Sequence, residues 1–74
     1  MEVEVKLSAS LRKGRFGRQT IELPAGSTVA DLLEHLDLPA RRVAVVAVNG
    51  EHAAPERPLQ PGDSIAIYPP VAGG

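Results

Sequence analysis

The chain ends in two glycines, Gly73 and Gly74, which bring no side chain to any reaction. The distinctive group at this position is the α-carboxylate of Gly74. Resonance makes a carboxylate a poor electrophile, but ATP converts it into an acyl-adenylate, from which a sulfur or nitrogen nucleophile displaces AMP. This end of the chain therefore indicates group transfer at a main-chain carboxylate, with a frayed terminus of no chemical role as the alternative.

The residues before the two glycines suit such a role. Pro69-Pro70 stiffens the point at which the chain leaves the domain, and Val71-Ala72 follows. Glycine is thin enough to enter a narrow channel and adopts backbone angles denied to other residues. From the second proline to Gly74 an extended chain spans about 13–14 Å. We therefore expect a folded domain at residues 1–68 and a flexible tail at residues 69–74.

Side-chain catalysis finds little support in the sequence. Cysteine is absent, which excludes a thiolate nucleophile, a disulfide and a cysteine-based zinc site. The two histidines, His35 and His52, lie apart along the chain, whereas a metal site needs three or four convergent ligands. We therefore expect both histidines to be exposed, with no bound metal and no catalytic site within the domain itself.

A basic segment at residues 12–18 contains one aromatic residue, Phe16. Such a segment binds phosphates or an acidic partner in some proteins and is a solvated hairpin loop in most. One aromatic ring is too few for a base-stacking surface. Because the whole chain has a net charge of −1, we expect binding neither to nucleic acid nor to an anionic membrane.

The length of the chain, 74 residues, leaves room for one modest core, since a domain this small buries only about 60% of its unfolded surface. Residues 1–5 lack the basic region and apolar run of a signal peptide. The longest apolar run, at residues 43–48, is too short to span a bilayer. We expect a single domain in the cytoplasm.

Alternation and turn signals predict the strands. Val3, Val5 and Leu7 alternate with charged residues, which is typical of a half-buried strand. The apolar run at residues 43–48 is short, which indicates a buried strand rather than a helix. Asn49-Gly50 after it signals a tight turn and a short return strand. The predicted strands lie at residues 2–7, 18–23, 43–48, 51–54 and 64–68.

One helix is predicted between the second and third strands. Ser27 or Thr28 caps its first turn, and Asp31 places a negative charge near the positive end of the helix dipole. Its apolar residues follow the spacing of a single helical stripe: Val29, Leu32, Leu33 and Leu36. One stripe covers one face of a sheet, which predicts an α+β domain of the β-grasp kind, with a mixed sheet of four or five strands.

The sequence resembles the MoaD/ThiS family of sulfur carriers, which are ubiquitin-like β-grasp proteins, and is most like its MoaD branch. The ending Tyr68-Pro69-Pro70-Val71-Ala72-Gly73-Gly74 carries most of the resemblance. Pro58-Leu59-Gln60-Pro61-Gly62-Asp63-Ser64-Ile65 matches the family's leucine and Gly-Asp turn before the last strand. Val48-Asn49-Gly50 and Gly26-Ser27-Thr28-Val29 also fit, so the resemblance spans nearly the whole chain.

The resemblance implies a carrier rather than an enzyme. A MoeB/ThiF-like adenylating enzyme would use ATP to activate the Gly74 carboxylate, and sulfur delivery would convert it to a thiocarboxylate. The tail, with Val71, Ala72 and Gly73 leading to Gly74, would then enter a MoaE-like catalytic subunit of molybdopterin synthase and donate sulfur to cyclic pyranopterin monophosphate. No cofactor would be bound to the carrier itself.

The family also docks to its partners through an apolar sheet surface, and the matching positions are Leu7, Leu59 and Tyr68. Core packing is the alternative for Leu7, because it lies in phase with Val3 and Val5. Tyr68 lies out of phase with the isoleucines of the last strand, which favours exposure.

Three other functions stay open at this point. A short connection over residues 36–43 is nearer to ThiS, whose thiocarboxylate feeds thiazole synthase in thiamine formation. A ubiquitin-like modifier would join Gly74 to lysine amines. A β-grasp interaction module with an inert tail would need neither reaction.

Overall fold

A computed structural model describes residues 1–70 of the chain, and within them one α-helix packs on a mixed five-stranded sheet. The predictions for Val71, Ala72, Gly73 and Gly74 therefore lie outside the described residues. The elements follow the predicted order of two strands, a helix and three strands: β1 (Glu2–Leu7), β2 (Arg18–Glu22), α1 (Val29–His35), β3 (Val45–Val48), β4 (Glu51–His52) and β5 (Ser64–Tyr68).

The strands lie in the order β2-β1-β5-β3-β4 across the sheet. The central pair, β1 and β5, is parallel, and every other pair is antiparallel. Both central strands therefore point to one end of the sheet, which we call the exit end because the chain leaves β5 there. The opposite end is the far end. The architecture confirms the predicted β-grasp fold.

The core lies between α1 and one face of the sheet. In β1 every second residue is buried, as the alternation predicts, and Ile65 and Ile67 of β5 continue the same layer. The helix buries Val29 and Leu32 completely and the other two members of its predicted stripe partly. Burying an aliphatic side chain of this size stabilises a fold by about 1.5–3 kcal/mol, so this layer is the main source of stability.

Local hydrogen bonds set both ends of α1. Thr28 is the N-cap: its Oγ1 accepts from the Asp31 amide at 3.2 Å, and its own amide donates to the Asp31 carboxylate at 2.9 Å. The chain ends the helix at Asp37, whose φ of 57° is left-handed and whose amide donates to the Glu34 carbonyl. The helix therefore stops before Pro39 can interrupt it.

Two segments differ from the prediction. Residues 8–17, between the first two predicted strands, contain a 3-10 helix at Ala9–Arg12 that buries Leu11 completely. The run at residues 43–48, expected as a buried strand, contributes only β3, after a second 3-10 helix at Ala40–Arg42. In β3 Val46 and Val48 are buried, while the alternate residues are half-buried because no layer covers the other face of the sheet.

Hydrogen bonds made by the Asn49 and Asp63 side chains connect two turns at the far end. Asn49 Nδ2 donates to the Asp63 carboxylate at 2.9 Å, and Asn49 Oδ1 accepts from the Ser64 amide at 2.9 Å. The other Asp63 oxygen accepts from the Gln60 amide at 2.8 Å. Asn49 and Gly50 both have positive φ, as a two-residue hairpin of the favoured type requires. The backbone of Asn49 thus forms part of the turn, and its side chain accepts a hydrogen bond from the first residue of β5.

Replacing Asn49 separates these two contributions. Asn49→Gly keeps the positive φ but removes both side-chain hydrogen bonds, and we expect it to lower the free energy of unfolding by about 1–3 kcal/mol. Asn49→Ala adds the strain of a left-handed alanine and is expected to lose roughly 1 kcal/mol more. Urea denaturation measures both, and a wild-type midpoint for Asn49→Gly would show that the hydrogen bonds contribute nothing.

Leu7 and Leu59 are expected to stabilise the core. Each is at most 2% exposed, so truncation to alanine leaves a cavity and should lower the free energy of unfolding by about 2–5 kcal/mol. Tyr68, which is 42% exposed, provides the comparison, and Tyr68→Ser should cost less than either leucine change. Equal losses in urea denaturation for all three variants would contradict this division.

Candidate functional site

The exit end presents the start of the tail at the surface. The Tyr68 carbonyl accepts a hydrogen bond from the Ala44 amide at 2.8 Å, so β5 stays paired until its last residue. Pairing ends there because Pro69 and Pro70 have no N–H to donate. Pro69 is half-buried and Pro70 is exposed. The chain therefore leaves the domain outward at Pro70 rather than beneath the sheet.

A groove of about 540 Å³ lies beside this point. Its walls come from the turn after β1, the first residues of β3 and the chain leaving β5, and most of them are small or apolar: Ser8, Ala9, Ser10, Ala44, Val45, Tyr68, Pro69 and Pro70. Since β1 and β5 are parallel, the end of β1 is necessarily next to the exit. The groove is therefore a product of the central strand pairing.

The open face of the sheet, opposite α1, carries an apolar patch next to the exit. The patch consists of two cross-strand pairs, Val45 with Tyr68 and Ala47 with Ala66. Tyr68 is 42% exposed and is the one large exposed hydrophobic side chain among residues 1–70; the other three are half-buried. A flat surface of small residues around one aromatic side chain is typical of a protein contact site.

Charged residues border the apolar patch towards β2. Lys6 pairs with Ala66 on one side and with Arg18 on the other. Arg18 lies 4.0 Å from Glu4, which is also on the open face. The open face therefore has an apolar half on β3 and β5 and a charged half on β1 and β2.

Two of the three predicted docking residues are not on this surface. Leu7 is 1% exposed and Leu59 2% exposed, and both belong to the core. Leu7 shares the buried phase of β1, and the Leu59 amide donates to the Ser27 carbonyl at 2.8 Å, which holds this segment against the start of α1. The expectation that these two leucines form a partner surface is therefore wrong, whereas the predicted exposure of Tyr68 is confirmed.

The structure adds Val45, Ala47 and Ala66 to the surface beside Tyr68. Sequence reasoning missed them because it treated the run at residues 43–48 as buried on both faces. The signal was available in the prediction of one helix, since a single helix covers only one face of a sheet. Every second residue of β3 and β5 then has to lie on the uncovered face.

Both histidines lie at the surface. His35 is exposed in the last turn of α1, and His52 is exposed on β4, as the sequence predicts. Among the residues that the structure describes, no three His, Cys, Asp or Glu side chains lie close enough to hold a metal ion. In the same residues no helix has the length and apolar character needed to cross a membrane.

Comparison with known proteins gives a family and several relatives. The family model described as the ThiS family matches residues 5–74. A molybdopterin synthase sulfur carrier subunit from Arabidopsis thaliana is 34% identical in an alignment of length 61 that covers 74% of this chain and 64% of the relative. The chain thus spans less than two thirds of the length of this plant protein.

Similar solved structures cover nearly the whole fold. A putative molybdopterin converting factor subunit 1 from Pyrococcus furiosus is 30% identical with a TM-score of 0.79, and the match covers 96% of this chain and 99% of that one. Small archaeal modifier protein 1 from Haloferax volcanii is 27% identical with a TM-score of 0.78, over 95% and 98% of the two chains.

A third structure is a complex of subunits 1 and 2 of the molybdopterin-converting factor from Helicobacter pylori, 25% identical with a TM-score of 0.69 over all of both chains. The family match includes the Gly-Gly ending, and the structural matches cover at least 95% of this chain. On this evidence the chain belongs to the ThiS/MoaD family of ubiquitin-like β-grasp domains.

Proposed function

We propose that this chain is a sulfur carrier that serves as the small subunit of a molybdopterin synthase. The observation that carries the proposal is its 34% identity with a plant protein of that role. The P. furiosus neighbour, named for molybdopterin conversion, supports the same function with a match over the whole domain. The family match through Gly74 includes the residue on which the chemistry would take place.

The chain would contribute one reacting group, the carboxylate of Gly74. A carboxylate oxygen attacks the α-phosphorus of ATP on a MoeB/ThiF-like adenylating enzyme, and pyrophosphate leaves. Sulfur at the oxidation level of hydrosulfide then attacks the acyl carbon of the adenylate, and AMP leaves with the electron pair of the broken C–O bond. The product is a thiocarboxylate, whose sulfur is a better nucleophile than the oxygen it replaces.

The structure supports this role by what the domain leaves accessible. Pro70 is exposed at the exit end, and in the sequence four residues separate it from the end of Gly74. The domain would bind no cofactor and would not itself be an enzyme, since the ATP is held by the activating partner. A reaction that uses ATP also agrees with a location in the cytoplasm.

The apolar patch would receive a MoaE-like catalytic subunit. In the H. pylori structure a relative of this chain is in complex with subunit 2 of the same factor. The patch is suited to such a contact because Tyr68 immediately precedes the tail and is an exposed aromatic residue among smaller side chains. A partner that encloses the tail in its active site would cover this part of the open face at the same time.

Protein modification is the second candidate function, and the structural likeness to small archaeal modifier protein 1 favours it. The same activated Gly74 would then form an isopeptide bond with a lysine amine instead of accepting sulfur. A ThiS-like carrier that feeds thiazole synthase would share the activation step and differ in its acceptor.

Intact-mass measurement after incubation with ATP, a sulfide donor and the adenylating enzyme of the same organism tests the proposal. We expect a mass increase that corresponds to the exchange of one oxygen for sulfur. The variant that lacks Gly74 should keep the wild-type melting temperature, because the residue lies beyond the last strand, and should show no exchange. An isopeptide adduct would instead support the modifier, and an unchanged mass would contradict both functions.

The docking role of the apolar patch is tested by Ala66→Arg. A charged side chain at the centre of the patch should weaken binding of the catalytic subunit by about tenfold or more, since it must be desolvated on binding. Thr20→Arg adds the same charge to an exposed position of the same face on β2 and should change the affinity by less than about twofold. Isothermal titration calorimetry measures both, and equal affinities would exclude the patch from the interface.

A further inference from the structure

The basic side chains of this protein are concentrated at the exit end. Seven of the eight lie there, and Arg57 at the far end is the exception. The topology produces this distribution because β1 ends and β2 begins at the exit end, and the segment from α1 to β3 returns there. The seven are Lys6, Arg12, Lys13, Arg15, Arg18, Arg41 and Arg42.

The acidic side chains show the opposite distribution. Glu34 and Asp37, near the end of α1, are the two that lie towards the exit end. Glu4 lies midway along β1 beside Arg18. The other six belong to the far end: Glu2, Glu22, Asp31, Glu51, Glu56 and Asp63. The net charge of −1 therefore conceals a strong separation of charge along the strands.

Five of the basic residues form one surface, which we call the basic cap: Arg12, Lys13, Arg15, Arg41 and Arg42. Arg15 joins its two parts, because its guanidinium donates to the Asp37 carbonyl at 3.4 Å and thereby reaches from the β1–β2 connection to the segment after α1. A groove of about 660 Å³ runs between these parts, with Arg15, Arg41 and Arg42 among its walls.

Arg12, a member of the basic cap, lies close to the backbone of the segment that leads into β2. The guanidinium of Arg12 lies directly over Gly17, where a Cβ atom would come within 2.6 Å of its nitrogen. A side chain at position 17 would therefore displace the Arg12 guanidinium, which can move because it is the far end of a flexible side chain. The Gly17 carbonyl in turn accepts from the Leu7 amide at 2.9 Å, which connects the arginine to the end of β1.

The charges of the basic cap are not neutralised within the domain. The two ion pairs of lysine or arginine with a carboxylate in residues 1–70 are Arg18 with Glu4 and Arg57 with Glu51, and neither includes a member of the cap. All five members are exposed. Five positive charges on one surface outnumber the two nearby carboxylates, Glu34 and Asp37, so the basic cap attracts an anionic partner.

We propose that the basic cap docks against an acidic surface of the enzyme that activates the tail, an inference that rests on the proposed function. Activation brings the Gly74 carboxylate next to the triphosphate of ATP, so two anions must approach each other. A positive end on the carrier opposes that repulsion and attracts an acidic enzyme surface. The separation of charge also orients the carrier while the two proteins approach each other, so that the exit end meets the enzyme first.

An acidic protein surface fits the basic cap better than a nucleic acid does. Glu34 and Asp37 line the same groove as the arginines and would repel phosphate groups, whereas a protein surface can place a basic side chain against them. Phe16, the one aromatic residue in this region, is half-buried and packs against the core. It is therefore not available for the base stacking that single-stranded nucleic acids require.

The test compares two double variants with the same change in net charge. Arg41→Gln with Arg42→Gln removes two positive charges from the basic cap. Ala25→Glu with Gln60→Glu adds two negative charges to exposed positions at the far end. The readout is kcat/KM for ATP–pyrophosphate exchange by the adenylating enzyme of the same organism, between about 50 mM and about 500 mM NaCl.

We expect the cap variant to lose roughly tenfold in kcat/KM at the lowest salt and to approach wild type at the highest, whereas the far-end variant stays within about twofold throughout. Asp37→Asn should raise kcat/KM at low salt, because it removes a negative charge, and asparagine tolerates the positive φ of this position. Thermal unfolding checks that the variants are folded.

The outcomes separate this inference from the proposed function. Normal exchange with the cap variant, or equal losses in both double variants, would overturn the docking role while leaving the activated tail in place. Absence of exchange with the wild-type carrier would overturn the proposed function and the inference with it. Binding of a single-stranded RNA oligonucleotide that is lost in the cap variant, with exchange unaffected, would assign the surface to nucleic acid and overturn the inference.

Discussion

The parallel pairing of β1 with β5 is the constraint on which the rest of this structure depends. Parallel neighbours cannot be joined by a tight turn, so the chain between them has to return from the exit end, where β1 ends, to the far end, where β5 begins. That crossing supplies the helix, the β3–β4 hairpin and the segment that closes the core. The same pairing fixes where β5 ends, and with it the position from which the tail departs.

Coverage by a single helix determines what the sheet can offer to other molecules. On the covered face Val5, Ile65 and Leu32 are sealed from water and contribute stability. The uncovered face keeps small side chains around Tyr68 on β3 and β5 and charged ones on β1 and β2. The covered face of the sheet thus provides stability and the uncovered face provides recognition. Substitutions on the uncovered face can therefore alter binding without lowering the stability of the core.

Much of this fold was predictable from the sequence because its signals are local. Alternation in β1, the stripe on α1 and the Asn49-Gly50 turn each predict one element, and together they predict the layer arrangement. The Gly-Gly ending likewise points to a main-chain carboxylate without any knowledge of the fold. The chemistry of that ending stays a prediction, because the structure describes residues 1–70.

The remaining features depend on contacts between distant segments, which periodicity does not reveal. Leu11 is a single leucine in a polar segment, and only the 3-10 helix that follows β1 turns it into the core. The role of Leu59 as a core residue depends on a hydrogen bond to Ser27, far away in sequence. The charge separation is also invisible along the chain, because it arises when Arg41 and Arg42 return beside residues 12–18.

The edges of the sheet have a consequence for how copies of this domain meet. Unpaired edge strands invite strand addition, and proteins discourage it with short strands and charged side chains. At one edge β4 is only two residues long, and at the other β2 exposes Arg18, Gln19, Thr20 and Glu22. Neither edge is a long apolar template, so accumulation of the folded domain at high concentration carries little risk of edge-to-edge polymerisation.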